Sequence, residues 1–150
     1  MADQPVAGQR SPMFANLHLA QVYGAILGIL LVAMGLLGFV SNPVVSDPSA
    51  HPIFVSGTVQ NLGYLIIGAL FIYVAFGLSG NQQALGLLSI GVLIGLFVVG
   101  TFLSNTLYGI LDNPVNRADQ LLHALIAVAT LLVGWLTSNM APASLRRSSQ

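Results

Sequence analysis

The 150-residue chain is 55% hydrophobic and only 5% charged, whereas a soluble domain usually carries roughly 25% charged residues. Its formal net charge is zero, which argues against a nucleic-acid partner, because such partners normally require a basic surface. The chain contains no cysteine, which excludes disulfides, thiolate chemistry and cysteine-ligated metals. The composition therefore predicts a membrane protein whose first partner is the lipid bilayer.

Four long apolar runs account for most of the sequence, and none of them contains a charged residue. Each is about long enough to cross ~30 Å of hydrocarbon at ~1.5 Å per helical residue. In chain order they are Val22–Val40, Leu62–Leu78, Ala84–Leu103 and Leu121–Leu136. The predicted fold class is an all-α membrane protein, a bundle of four transmembrane helices.

The segments outside these runs divide the chain into three parts. We expect a polar N-terminal arm over residues 1–18, a four-helix transmembrane domain over residues 19–139 and a C-terminal tail over residues 140–150. An even number of spans places both termini on one side of the membrane. That side holds three of the four arginines, so the positive-inside rule predicts cytoplasmic N- and C-termini.

The sequence predicts one helical hairpin that occurs twice. When Gly28 is aligned with Gly91, Asn42 at the end of the first helix falls on Asn105 at the end of the third. In the second helix of each hairpin, the aligned pairs are Asn61 with Gln120 and Tyr64 with His123. Both copies enter the membrane from the same side. We therefore predict a parallel repeat with a pseudo-two-fold axis along the membrane normal, unlike the inverted repeats of many transporters.

Glycines recur along the first and third helices at a spacing that favours close helix contact. The segments Gly24-x-x-x-Gly28 and Gly91-x-x-x-Gly95 fit the small-xxx-small pattern of membrane helix interfaces. We expect these four glycines to pack within the bundle. The alternative is a face for a second copy of the chain or for another membrane protein.

The polar residues of the spans gather at the end of the bundle away from the termini, which we call the outer end. They are Asn42, Asn61, Tyr64, Asn105, Asp119, Gln120 and His123. Asp119 and His123 are four residues apart and so share one helix face. We expect a neutral His123 that is hydrogen-bonded inside the bundle, with Asp119, Tyr64 and Asn61 as candidate partners. A structural role is favoured for His123, and the alternative is a role as cofactor ligand.

Three short motifs resemble those of a known membrane family. They are Gly35-Leu36-Leu37-Gly38-Phe39, Asn61-Leu62-Gly63-Tyr64-Leu65 with Gly68, and Asp119-Gln120-Leu121-Leu122-His123-Ala124. The chain thus resembles a bacterial four-helix integral membrane family catalogued as domain of unknown function 4383. It departs from that pattern at Tyr64, where the family has histidine, and at Gln120, where it has asparagine. The resemblance implies a fold but no activity. We expect the bacterial inner membrane as the location, with a thylakoid or other photosynthetic membrane as the alternative.

The function predicted from these features is not enzymatic. The spans lack paired carboxylates and a nucleophile motif, so we predict no catalytic residue and no metal site. The first expectation is a structural or accessory subunit, without cofactor, that packs with other membrane proteins or with itself. One alternative is a pigment- or haem-binding accessory subunit of a photosynthetic or respiratory complex, with chlorophyll or haem on His123. Another is a small transporter or channel.

Overall fold

The computed structural model describes residues 19–140. The predicted arm over residues 1–18 and the tail beyond residue 140 lie outside the described residues. The described chain is a four-helix protein, with α1 at Leu19–Leu37, α2 at Thr58–Gly77, α3 at Gly80–Leu103 and α4 at Arg117–Met140. Each of the four helices is long and apolar enough to cross a membrane. The prediction of four span-length helices is confirmed.

A small amount of non-α structure is present in the connection between α1 and α2. Two short strands, β1 at Val45–Ser46 and β2 at Phe54–Val55, pair in parallel. A 3-10 turn at Pro48–Ala50 lies between them, and Asp47 caps it by accepting a hydrogen bond from the Ser49 amide at 2.8 Å. The all-α prediction lacked this pairing, because such short strands have no periodic signal in the sequence.

The helix bounds differ from the apolar runs where polar residues form the first helical turn. α4 begins at Arg117 because Asn116 and Asp119 cap its start reciprocally. The Asn116 Oδ1 accepts a hydrogen bond from the Asp119 amide at 2.8 Å, and the Asp119 Oδ2 accepts one from the Asn116 amide at 3.4 Å. The connection between α2 and α3 is only Leu78–Ser79. Hydropathy marks the apolar part of a helix, whereas capping decides where the helix begins.

The helices pack as two pairs, α1 with α2 and α3 with α4, and contacts between the pairs are far fewer. Gly28 lies at one of the close contacts in the first pair. A Cβ placed there would lie 2.8 Å from the Gly68 carbonyl oxygen and 2.7 Å from Ile72 Cγ1. In the second pair, a Cβ on Gly91 would lie 2.9 Å from Leu131 Cγ. Glycine at these positions allows the helix backbones to approach closely.

The core runs along the middle of the bundle, whereas the outward faces of the helices are apolar as well. Leu31, Phe71, Leu87, Ile90 and Ile94 belong to the buried core. Large apolar side chains that are more than half exposed occur on every helix; among them are Ile29, Ile66, Leu96 and Leu132. Soluble monomers rarely expose contiguous apolar patches of more than a few hundred Å². The surface is therefore compatible with an integral membrane protein.

Candidate functional site

The two long connections of the chain cross the same end of the bundle and are hydrogen-bonded to each other. Side chains near the start of α4 reach main-chain atoms around β2 and the start of α2. The pairs are Asn113 Nδ2 with Ser56 O, Asn116 Nδ2 with Ile53 O, Asp119 Oδ2 with the Val55 amide and Asp112 Oδ2 with the Val59 amide, at 2.9, 3.0, 3.0 and 3.1 Å. These bonds join the two helix pairs at the outer end and add to the few helix contacts between the pairs.

The predicted polar cluster divides into a buried group of five residues and two residues of the connections. Asn61, Tyr64, Asp119, Gln120 and His123 are all buried. The other two lie outside this group. The Asn42 side chain organises the turn after α1, where its Nδ2 donates to Leu37 O at 2.9 Å, and the exposed Asn105 accepts a bond from the Val115 amide through its main-chain oxygen at 2.8 Å.

His123 is held by one hydrogen bond and two aromatic rings. Its Nδ1 lies 2.6 Å from the main-chain oxygen of Asp119. Because a carbonyl oxygen only accepts, Nδ1 carries the proton, and a neutral ring then has its lone pair on Nε2. The ring stacks on Tyr64 with centroids 5.5 Å apart and contacts Phe97 at 5.0 Å. Of the three candidate partners, Asp119 bonds through its backbone and not its carboxylate, Tyr64 contributes ring stacking, and no bond joins His123 to Asn61.

Several buried polar oxygens at the outer end have no hydrogen-bond partner in the described part of the chain. They are Ser56 Oγ, Gln60 Oε1, Asn61 Oδ1, Tyr64 Oη and Asp119 Oδ1. Leaving a buried acceptor unpaired costs roughly 1–3 kcal/mol, so native proteins contain few of them. Their concentration at one end of the bundle makes that end the candidate functional site.

A cavity of about 500 Å³ lies beside these groups. Its polar lining residues are Gln60, Tyr64 and His123, and apolar side chains from all four helices supply most of the rest. Sequence reasoning identified Tyr64 and His123 but missed Gln60, which precedes the second apolar run. The available signal was the pair Gln60-Asn61 one helical turn before Tyr64.

The structure places three of the four predicted packing glycines at helix contacts. Gly24 and Gly28 face α2, and Gly91 faces Leu131 of α4. Gly95 differs, because a Cβ added there would have no atom within 4 Å. The buried stripe of α3 passes from Gly91 through Ile94 to residue 98, which leaves Gly95 beside the contact and not in it.

Comparison of the chain with known proteins found no relative. No family model, curated protein or solved structure matches the chain. The resemblance carried by the three sequence motifs therefore stays a prediction. Within residues 19–140, no group of three or more His, Cys, Asp or Glu side chains is placed to hold a metal ion.

Proposed function

We propose that this chain is a non-enzymatic integral membrane protein that serves as a structural or accessory subunit, packed against other membrane proteins or against a second copy of itself. One observation carries the proposal: four span-length helices present apolar side chains on their outward faces as well as in the core. The only charged residues in these helices are Arg117 and Asp119, both in the first turn of α4. Such a surface is stable in hydrocarbon and unfavourable in water.

The proposed architecture is a parallel repeat of one hairpin, and the burial pattern supports it. With Gly28 aligned on Gly91, each of the five buried positions of α1 has a buried counterpart in α3. With Asn61 aligned on Gln120, six of the seven buried positions of α2 have buried counterparts in α4. Apolar sequence alone does not require such agreement, because alternative helix faces are equally apolar.

Contacts inside each hairpin repeat in the same register. Gly28 lies against Ile72, and its aligned position Gly91 lies against Leu131, which aligns with Ile72. The outer ends agree as well. A Cβ on Gly38 would meet the Asn61 side chain, and at the aligned positions Gln120 Nε2 donates to the Thr101 main-chain oxygen at 3.0 Å. Because two separate alignments, one for each helix of the hairpin, reproduce these contacts, they support an internal duplication.

The accessory role is tested by the mass of the protein as released gently from its membrane. Native mass spectrometry in a mild detergent should report a complex heavier than the 15.7 kDa chain. A harsh detergent, used as the control, should reduce the species to the single chain. A mild preparation that contains only the 15.7 kDa monomer would contradict the proposal.

A pigment- or haem-binding accessory subunit is the second candidate, and the geometry of His123 favours it. Histidines that ligate a metal commonly donate their other ring N–H to a backbone carbonyl, as Nδ1 does here toward Asp119. Nε2 would then be the ligating atom. An absorption spectrum of the mildly purified protein tests this role: a visible band that is lost in His123→Gln would establish it, and its absence in the wild type would reject it.

A further inference from the structure

The cavity at the outer end has the size and position of a small-molecule site. Its volume is about 500 Å³, within the range of roughly 300–1,000 Å³ that is usual for ligand pockets. Along α2 it is lined from Val59 to Ile67, a distance of ~12 Å at the helical rise. It therefore suits an elongated molecule that lies along the helix.

The lining of the cavity excludes a charged ligand. Its deeper part is formed by apolar side chains such as Leu31, Ile94 and Ile126, and none of its lining residues is charged. A charged group placed there would lose its water without gaining a counter-ion, which is costly in an apolar environment. The occupant is therefore uncharged over its whole length.

The polar lining residues specify the head group. Gln60 uses its Nε2 toward Val55 O at 3.4 Å, and its Oε1 is an unpaired acceptor. His123 uses its Nδ1–H on the backbone, so that Nε2 is a second acceptor. The Tyr64 hydroxyl, also unpaired, can either donate or accept. Two acceptors and one hydroxyl require a head group that donates a hydrogen bond.

A hydroxyl matches this set, because it can donate its one hydrogen bond to His123 Nε2 or Gln60 Oε1 and accept another from the Tyr64 hydroxyl. An ether or ketone only accepts and would leave Gln60 Oε1 and His123 Nε2 unpaired. A metal-bearing macrocycle would engage Nε2 alone and leave Gln60 and Tyr64 without partners. The Gln60 and Tyr64 oxygens are enclosed in this structure, so engaging them requires the side-chain rotations that commonly accompany binding.

The segment that covers the cavity has an unusual backbone. Leu107, Tyr108 and Gly109 all have positive φ, at 48°, 56° and 90°. Bulky residues seldom adopt this conformation, and it is often found at ligand sites. The Ser104 hydroxyl helps to hold the segment by accepting a bond from the Tyr108 amide at 2.9 Å. This turn brings Leu107 and its neighbours Ile110 and Leu111 into the cavity wall.

We propose that this cavity binds an uncharged, elongated lipophilic molecule through a terminal hydroxyl group, either alcoholic or phenolic, which donates to His123 Nε2 or Gln60 Oε1 and accepts from the Tyr64 hydroxyl. The site is independent of the accessory role proposed above, because it concerns a ligand and not a protein partner. Its failure would leave that role unaffected.

Two helical glycines provide a matched pair of variants for the test. Gly63 lines the cavity and Gly95 does not, and a Cβ added at either would have no atom within 4 Å. Gly63→Leu should therefore place a leucine side chain inside the cavity and block part of it, and Gly95→Leu should leave the cavity as it is. Both variants should fold, since replacing a helical glycine removes an unfavourable residue.

The probes are farnesol, an isoprenoid alcohol, and 4-nonylphenol, each compared with its own methyl ether. Binding to the full-length protein in lipid nanodiscs is measured by ligand-retention native mass spectrometry. At least one hydroxyl probe should bind. Its methyl ether should bind about tenfold more weakly, because the ether cannot donate a hydrogen bond. Gly63→Leu should abolish this binding, whereas Gly95→Leu should preserve it. Whichever of farnesol and 4-nonylphenol binds more tightly indicates whether the ligand is an alcohol or a phenol.

A second pair of variants tests the polar end separately. Tyr64→Phe should weaken binding about three- to tenfold by removing one hydroxyl, whereas Tyr73→Phe, which removes an exposed hydroxyl from the same helix, should have no effect. Equal affinity for alcohol and ether, or full binding in Gly63→Leu, would overturn the proposal. So would a macrocycle that co-purifies with the wild-type protein and absorbs visible light.

Discussion

Replacing Gly28 by alanine should destabilise the bundle, even though alanine is the better helix former. An added Cβ would lie 2.8 Å from the Gly68 carbonyl oxygen and 3.1 Å from the Ile72 amide nitrogen. Close C···O contacts in proteins are usually about 3.3–3.6 Å, so α1 and α2 must separate by about 0.5 Å. These neighbours are backbone atoms, which cannot rotate away as a side chain can.

The expected magnitude follows from two opposing effects. Overpacking of this kind costs about 1–3 kcal/mol, whereas replacing a helical glycine by alanine gains about 1 kcal/mol. The net loss for Gly28→Ala is then about 1 kcal/mol, or roughly 2–4 °C in melting temperature for a chain of this size. Gly91→Ala should lose less, because its nearest neighbours are the movable Cγ and Cδ2 of Leu131 at 2.9 Å. Gly95→Ala should gain stability, since its Cβ meets no atom within 4 Å.

Thermal unfolding in one detergent, followed by far-ultraviolet circular dichroism, tests the order of the three variants. Gly28→Ala should melt lowest, Gly91→Ala higher and Gly95→Ala above the wild type. Leucine at position 28 or 91 should lower the melting temperature further, because the larger side chain forces the helices farther apart. If Gly28→Ala melted as high as Gly95→Ala, the close contact between α1 and α2 would be refuted.

Three further predictions concern individual hydrogen bonds. Tyr23→Phe removes the 2.7 Å hydrogen bond to Thr130 that joins α1 to α4, and it should lower the free energy of unfolding by about 1 kcal/mol; an unchanged value in a denaturant titration would contradict this. Asp112→Ala removes the acceptor of the Val59 amide at the start of α2. It should increase amide hydrogen exchange in the first turn of α2 but not at the opposite end of the bundle. If His123 is structural, His123→Gln should retain most of the melting temperature, because an amide can replace its one hydrogen bond; a loss as large as that from core truncation would indicate a larger role.

The helices were predictable because their signal is local. An uninterrupted apolar run predicts a span-length helix regardless of what the helix packs against, and the structure has all four such helices. The ends of the helices were less predictable, because groups from distant parts of the chain can cap a helix. Gly57, which precedes α2, makes no side-chain cap bond, and Asp112 from the other connection supplies an acceptor instead. A partner 53 residues away leaves no trace in the local sequence.

The candidate site was partly predictable for the same reason. Asp119 and His123 share a face by their spacing, and Tyr64 aligns with His123 in the repeat, which anticipated a polar group of these residues. The role of Gln60 and the covering turn at Leu107 were not anticipated. They depend on how α2, α3 and the second connection meet, which helical periodicity does not specify.

We propose that the chain crosses a membrane four times, with the outer end and the turn between α2 and α3 on opposite sides. The protein has no native cysteine, so single cysteines can be introduced without background. Ser49→Cys lies in the exposed outer connection, and Ser79→Cys lies in the exposed turn between α2 and α3. With a membrane-impermeant maleimide on intact cells, Ser49→Cys should be labelled at once and Ser79→Cys only after permeabilisation. Equal labelling of both variants in intact cells would contradict it.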